Sequence, residues 1–341
     1  MHLVTGGSGF VGSVIARRLV ERGEQVRVFD QWKSQDLPAE VEVVLGDIND
    51  AAAVARAMKG VSYVHHNVAL VPLAKAGEQF WKVNVEGTRT ALRAAKAQGV
   101  KLFANMSSSA IYGHPKHMPI TLETPCLPFE TYGQAKKAAE DLVVAAGWEG
   151  LPVASIRPRT VIGHGRLGIF QILFEWIRDG SNIFVIGSGR NRYQFVHCDD
   201  LAEVSILACL NEVQGLFNVG TDRFGTMRGD LEDLCAHAGT GSKVRSLPAA
   251  PTIAALRLLD ELRLSPLGPY HYRTYPKEIY FDTAHVTERL GWHPRHGNRE
   301  MMRDAYDWFV RNYREEAVQT GASSHKSPVR QRVLRLVKQF A

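Results

Sequence analysis

Apolar and polar positions follow a regular order along the first half of the chain. Short apolar runs near residues 2–5, 25–30, 41–45, 61–65, 100–106 and 152–157 predict strands. Between them, stretches near 10–22, 50–58, 78–98 and 131–147 repeat apolar residues at helical spacing and predict helices. Strand alternating with helix predicts an α/β fold, a doubly wound parallel sheet covered on both faces. From about residue 160 the pattern is less regular, and residues 168–180, with Ile169, Phe170, Ile172, Leu173, Phe174, Trp176 and Ile177, read as a mostly buried helix.

The first strand runs into Thr5-Gly6-Gly7-Ser8-Gly9-Phe10-Val11-Gly12 and then a helical stretch. Strand, glycine turn and helix together let the backbone approach a pyrophosphate, which the helix N-terminus attracts. The loop fits Gly-x-x-Gly-x-x-Gly through Gly6, Gly9 and Gly12, and Gly-x-Gly-x-x-Gly through Gly7, Gly9 and Gly12. The next strand ends on Asp30, about 20 residues after the loop, where a carboxylate binds ribose hydroxyls and repels a 2′-phosphate. NAD is therefore expected ahead of NADP, with Lys33 near enough to temper the preference.

In the last of those helices, Tyr132 and Lys136 are four residues apart and share one face. A phenol ordinarily ionises near pH 10, and an adjacent cation lowers that value. Such a pair moves a proton to or from an alcohol near neutral pH.

With these motifs in place the chain resembles the extended short-chain dehydrogenase/reductases, the group of nucleotide-sugar epimerases and 3β-hydroxysteroid-type dehydrogenases. The resemblance covers residues 1–312. Besides the glycine loop and Asp30 it rests on Gly46-Asp47-Ile48, Asn67-Val68-Ala69, Val83 to Thr88, Ser107 to Gly113, the Tyr132/Lys136 pair, Arg157-Pro158, and Phe195 to Ala202, all in the family's order. It implies a Rossmann-like NAD-binding domain over 1–160, with 195–220 returning to it, and a smaller substrate lobe from 161–194 and 221–312.

The resemblance also implies roles. Tyr132 is the general acid/base, and Lys136 lowers its pKa and holds the nicotinamide ribose. Ser108, four residues before Tyr112, bonds the reacting oxygen, with Ser107 and Ser109 as alternatives. Gly6, Gly9, Phe10, Val11, Gly12, Asp30, Ser107 and Pro158 belong to the cofactor site. Asp47 and Ile48 flank the adenine, and Val68 and Ala69 pass beneath the dinucleotide. Asn84 either supports a helix break or touches the cofactor. Arg192, with Arg190 second, aligns with an arginine placed on a nucleotide-sugar diphosphate, while Arg166 and Arg159 are further candidates to face an anion.

Dehydrating relatives carry an Asp-Glu pair after the catalytic hydroxyl, and decarboxylating ones a Glu in that stretch. Here Ser109 and Ala110 stand there. The resemblance thus narrows to redox chemistry at one carbinol, as an epimerase or a dehydrogenase, with a nucleotide-activated sugar the leading substrate. Two features depart from the sugar enzymes. The segment before Tyr132 reads Pro125-Cys126-Leu127-Pro128-Phe129-Glu130, and the lobe carries an apolar stretch, 253–262, followed by Tyr270, Tyr272 and Tyr275. These leave open a sterol or lipid alcohol, and from another class a silent NAD-binding scaffold. A homodimer is a family expectation.

Composition changes the picture at one end only. The net charge is +6, and residues 317–341 hold Lys326, Arg330, Arg332, Arg335 and Lys338 with no acid. The basic balance belongs to this tail, so nucleic-acid binding by the body is not implied. Over 328–341 the apolar Val329, Val333, Leu336, Val337 and Phe340 fall on one helical face, which suits an anionic membrane surface. No apolar run approaches the roughly 20 residues that span a bilayer, and with the glycine loop beginning at residue 6 no secretory signal is expected before the first strand. Four scattered cysteines read as reduced thiols of a cytoplasmic protein, peripheral at the inner membrane face if the tail binds there. No metal site is expected.

Overall fold

The computed structural model describes residues 1–72, 76–262, 264–265, 267–313 and 338. The expected tail therefore lies outside the described residues, apart from Lys338, whose ammonium donates to Asp179 Oδ2 at 2.6 Å. Six strands and four α-helices build the first half: β1 (His2–Thr5), α1 (Phe10–Val20), β2 (Val26–Asp30), β3 (Glu42–Leu45), α2 (Ala51–Met58), β4 (Tyr63–His66), α3 (Gly87–Gln98), β5 (Leu102–Met106), α4 (Thr131–Trp148) and β6 (Val153–Pro158). One π-helical turn, Trp81–Glu86, leads into α3.

The second half contains β7 (Thr160–Ile162), α5 (Ile169–Arg178), β8 (Ile183–Ile186), β9 (Phe195–His197), α6 (Cys198–Leu210), β10 (Gly215–Val219), α7 (Met227–Ala238), β11 (Val244–Leu247), α8 (Ala249–Glu261), α9 (Pro269–Thr274), α10 (Ala284–Leu290) and α11 (Asn298–Asn312). The main sheet has seven parallel strands in the order β10-β6-β5-β4-β1-β2-β3. It is the Rossmann-like sheet expected from the alternating pattern. β10 pairs with β6, Asn218 opposite Arg157, whereas β9 pairs with β7 in a separate two-stranded sheet.

Side-chain burial explains the strand sequences. All four residues of β1 are buried, because helices cover both faces. On one side Leu3, Val64 and Phe103 pack with Ala53, Val54, Ala91 and Leu92 of α2 and α3. On the other, Val4 and Val28 pack with Val14, Ile15 and Leu19 of α1 and Ala202 and Ile206 of α6. A third core, with Phe174, Leu234 and Phe309 among its buried residues, joins α5, α7 and α11. Helix starts are fixed by polar caps: Asp50 Oδ1 accepts from Ala52 N at 2.9 Å, and Glu130 accepts from Tyr132 N at 2.8 Å and Gly133 N at 2.6 Å. No helix among the described residues is long and apolar enough to cross a membrane.

Strand order reverses between β1 and β4, whose loops leave the same edge of the sheet. In open α/β sheets a ligand crevice forms outside the strand ends at such a point.

Candidate active site

A cleft of about 420 Å³ lies there, a size typical of small-molecule sites. Its floor is the glycine loop after β1. Gly6 sits at φ +67°, and a Cβ on Gly12 would fall 2.2 Å from Gly6 O. That approach closes the loop so that Gly9 N donates to Gly6 O at 3.0 Å. A Cβ on Gly9 would meet only Gly6 O, at 3.1 Å, so Gly9 leaves its space toward the cleft. Phe10 and Val11, the first residues of α1, also line the wall.

Asp30 is held in place by two amides: Ser8 N donates to Oδ2 at 3.0 Å and Gln31 N to Oδ1 at 2.7 Å. Ser8 Oγ in turn donates to Trp32 O at 2.6 Å. Ser8 and Trp32 escaped the sequence reading, although Ser8 lies within the glycine motif itself. Ile48, Val68, Ala69, Ser107 and Pro158 line the cleft as expected. Asp47 does not. It is exposed, and its Oδ1 accepts from Asn49 N at 2.9 Å, which closes the turn before α2.

Asn84 is buried but not on the wall. Its Oδ1 accepts from Leu70 N at 2.8 Å and its Nδ2 donates to Leu70 O at 3.1 Å. The π-helical turn thus pins the 67–72 loop that forms one side of the cleft. Of the two readings for Asn84, the structure shows the supporting one.

Ser108, Ser109, Tyr132 and Lys136 all line the cleft. Ser108 precedes a 3-10 turn, Ser109–Tyr112, and its Oγ accepts from Ala110 N at 3.2 Å. The Tyr132 phenol is buried edge-on to Phe80, 5.8 Å between centroids, and shares a hydrogen bond with Ser108. Burial raises its pKa well above the ordinary phenol value, an effect larger than the opposing Ser108 bond. The expected lowering by Lys136 is not what this geometry gives. The Lys136 ammonium points instead at Met106 O, 2.5 Å away, and burial brings its own pKa down to about 8 against the pull of Glu140.

Glu140, one turn beyond Lys136, is itself buried. Burial would raise it, but the Arg157 guanidinium outweighs that and holds it low. Arg157 Nη2 donates to Glu140 Oε1 at 2.6 Å, and Nη1 donates to Tyr112 Oη at 2.6 Å. This network ties α4 to β6 beneath the face that carries Tyr132 and Lys136, and the sequence motifs gave Glu140 no part in it.

The arginines divide. Arg192 is exposed and outside the cleft, its Nη2 2.6 Å from Glu278 Oε1 and its guanidinium carbon 4.4 Å from the Tyr280 ring centre. Arg190 is exposed as well and not on the wall. Arg159 and Arg166 are buried and on it. Tyr270 and His271 of α9, and Tyr275 at its C-cap, reach the cleft wall from the lobe, with Tyr270 packed beside Tyr132. Elsewhere, consecutive His197, Cys198 and Asp199 place ligand-type atoms within 4.8 Å of one another. Burial pushes the Cys198 thiol up to about 12, and Asp199 Oδ1 accepts from Arg18 Nε at 3.0 Å.

The chain belongs to the NAD dependent epimerase/dehydratase family, whose model matches residues 2–220. It is 44% identical to the uncharacterized protein y4nG of Sinorhizobium fredii, over 98% of this chain and 85% of that one. To a 3-beta-hydroxysteroid dehydrogenase of Mycolicibacterium neoaurum it is 33% identical, and the match spans 62% of each chain. The solved UDP-glucose 4-epimerase of Thermotoga maritima, with UDP-glucose, superimposes with a TM-score of 0.77 at 25% identity, over 91% of this chain and 98% of that one.

NAD is the cofactor, and the residues present fit it: a glycine cradle with open space at Gly9, and a fixed carboxylate at Asp30 where ribose hydroxyls bind.

Proposed function

We propose that this chain oxidises or reduces one carbinol carbon of a nucleotide-activated sugar, with Tyr132 as general acid/base. The observation that carries this reading is that Tyr132, Ser108 and Lys136 line the same cleft as the glycine loop. Bound NAD supplies the hydride acceptor or donor. The protein's part is to hold the reacting oxygen and move its proton. Ser108 and Tyr132 share a hydrogen bond, so an alcohol or carbonyl oxygen placed between them meets two hydroxyls. With its pKa raised, Tyr132 is a neutral phenol, ready to give a proton to a carbonyl oxygen. In the other direction the phenol must first lose that proton, and Lys136, near 8, is the group on the same helical face that titrates close to neutrality.

The nucleotide-sugar assignment is supported by the likeness to the Thermotoga epimerase, which extends through the lobe, whereas the match to the steroid dehydrogenase stops at 62% of the chain. A second reading, a 3β-hydroxysteroid or other lipid alcohol, is favoured by the apolar and aromatic rim of Leu70, Val71, Pro72, Ile169, Tyr270 and Tyr275. Calorimetry of the NAD-loaded protein with UDP-glucose and with a 3β-hydroxysteroid decides between them. Saturable binding of the sugar nucleotide supports the first reading, and binding of the steroid alone replaces it.

A homodimer, a cytoplasmic location and membrane contact through 328–341 belong to the same reading. A liposome flotation comparison of the full chain with one ending at Glu316 tests the last.

A further inference from the structure

Arg159 follows directly on Pro158 at the carboxyl end of β6, the side of the sheet on which the cleft opens. Its side chain is 1% exposed, and Nε, Nη1 and Nη2 all lack a hydrogen-bond partner. Aromatic faces surround it instead: the Tyr193 ring centre is 4.9 Å and the Phe281 ring centre 5.6 Å from its guanidinium carbon. The neutral Tyr193 hydroxyl is the polar group nearest the guanidinium, a marginal hydrogen-bond contact that it shares with its bond to Thr160 Oγ1 at 3.0 Å.

Arg166, on the same cleft wall, donates only to two carbonyls, Val161 O at 3.2 Å and Leu167 O at 3.1 Å, between the rings of Phe10 and Phe170. Among the described residues neither guanidinium forms an ion pair. The buried Tyr275 phenol is within electrostatic reach of both. The contrast with Arg157, which has its own Glu140, shows how this fold neutralises a buried guanidinium when the role is structural. A buried cation with no anionic partner is costly, and the cost is recovered when an anion arrives.

We propose that Arg159, flanked by Arg166 and Tyr275, forms a subsite for an oxyanion of the substrate, a phosphate or a carboxylate. The substrate of this enzyme is then an acid, recognised through a desolvated charge-assisted contact. The assignment rests on the redox reading of the Tyr132 site and names the substrate chemistry it serves. It differs from the expectation for Arg192, which the fold commits to a surface ion pair.

The test uses the NAD-loaded full chain and R159M. Inorganic phosphate is expected to raise the wild-type melting temperature beyond an equal ionic strength of sodium chloride, and to leave R159M unmoved. Without ligand, R159M is expected to melt higher by about 3 °C, because an unpaired buried charge is gone. Calorimetry then separates the sources. A loss of about 30-fold or more for UDP-glucose and UDP-glucuronate alike identifies the diphosphate, and a loss confined to UDP-glucuronate identifies a carboxylate.

Should R159M not fold, R159K, which keeps the charge, is expected to retain the phosphate response, and R159Q to lose it. An equal phosphate response in wild type and the neutral variant overturns the proposal. NAD content reads the cofactor site separately. Y132F, which leaves the subsite intact, is expected to keep the phosphate response, so failure of the subsite and failure of the redox reading are distinguishable.

Discussion

The ammonium of Lys136 donates to the backbone carbonyl of Met106 across 2.5 Å, joining α4 to the last residue of β5. The contact fixes the face that carries Tyr132 relative to the sheet edge that carries Ser108. It also holds a cation in a buried site, which brings Lys136 down to about 8. The sign of the linkage follows. A lysine whose folded pKa lies below its unfolded value of 10.5 costs stability fully below pH 8, and the cost is relieved as pH rises from 8 to 10.5. K136M removes this titration. Urea unfolding at pH 7 and pH 10 is expected to show the wild type gaining about 2.5 kcal/mol relative to K136M between the two. At pH 7, K136M is expected to lose turnover at least about 100-fold while remaining folded.

The glycines of the cofactor loop are not equivalent. A methyl at Gly12 meets backbone atoms of Gly6 and Gly7 at 2.2 and 2.8 Å, which only a shift of the loop relieves. A methyl at Gly9 meets one carbonyl at 3.1 Å. G12A is expected to lower the melting temperature and weaken NAD binding together. G9A is expected to keep the melting temperature and weaken NAD alone, because its methyl occupies cleft space. Thermal melts with and without NAD read both.

His66, buried at the end of β4, joins Thr5 Oγ1 at 2.8 Å and Thr88 Oγ1 at 3.0 Å. Thr88 donates its own proton to Asn84 O at 2.7 Å, so it accepts from His66. Burial, with Lys136 adding to it, lowers His66 to about 3. The unfolded chain takes up a proton below pH 6.5 that the folded chain refuses until about 3, so stability falls as pH drops through that window. The share from His66 is about 2 kcal/mol at pH 5. In H66Q, the difference in unfolding free energy between pH 7 and pH 5 is expected to shrink by that amount.

Much of this was legible from residue order. Local signals placed the strands of the first half, the glycine turn, Asp30 and the Tyr132/Lys136 face, because each depends on neighbours within a few residues. What the sequence could not place depends on distant partners. Arg192 looked like a diphosphate ligand from its position before β9, but Glu278 and Tyr280, 86 and 88 residues away, draw it to the surface. The burial of Arg159 against Tyr193 and Phe281, 34 and 122 residues away, exists only once the lobe has folded onto the sheet. Tyr270, His271 and Tyr275 reach the cleft through the same long-range packing. The Tyr132 phenol is a different case. The spacing suggested a lowering by Lys136, but that ammonium is turned to Met106 O, and desolvation raises the phenol against its Ser108 bond.

The central claim is that Tyr132 moves the proton of the reacting oxygen. Y132F keeps the ring, its contact with Phe80 and the helix, and removes only the hydroxyl. Turnover of the sugar nucleotide or alcohol that the wild type accepts is expected to fall by about 1,000-fold in Y132F, with bound NAD retained. Unimpaired turnover in a Y132F protein that still holds NAD would contradict the assignment.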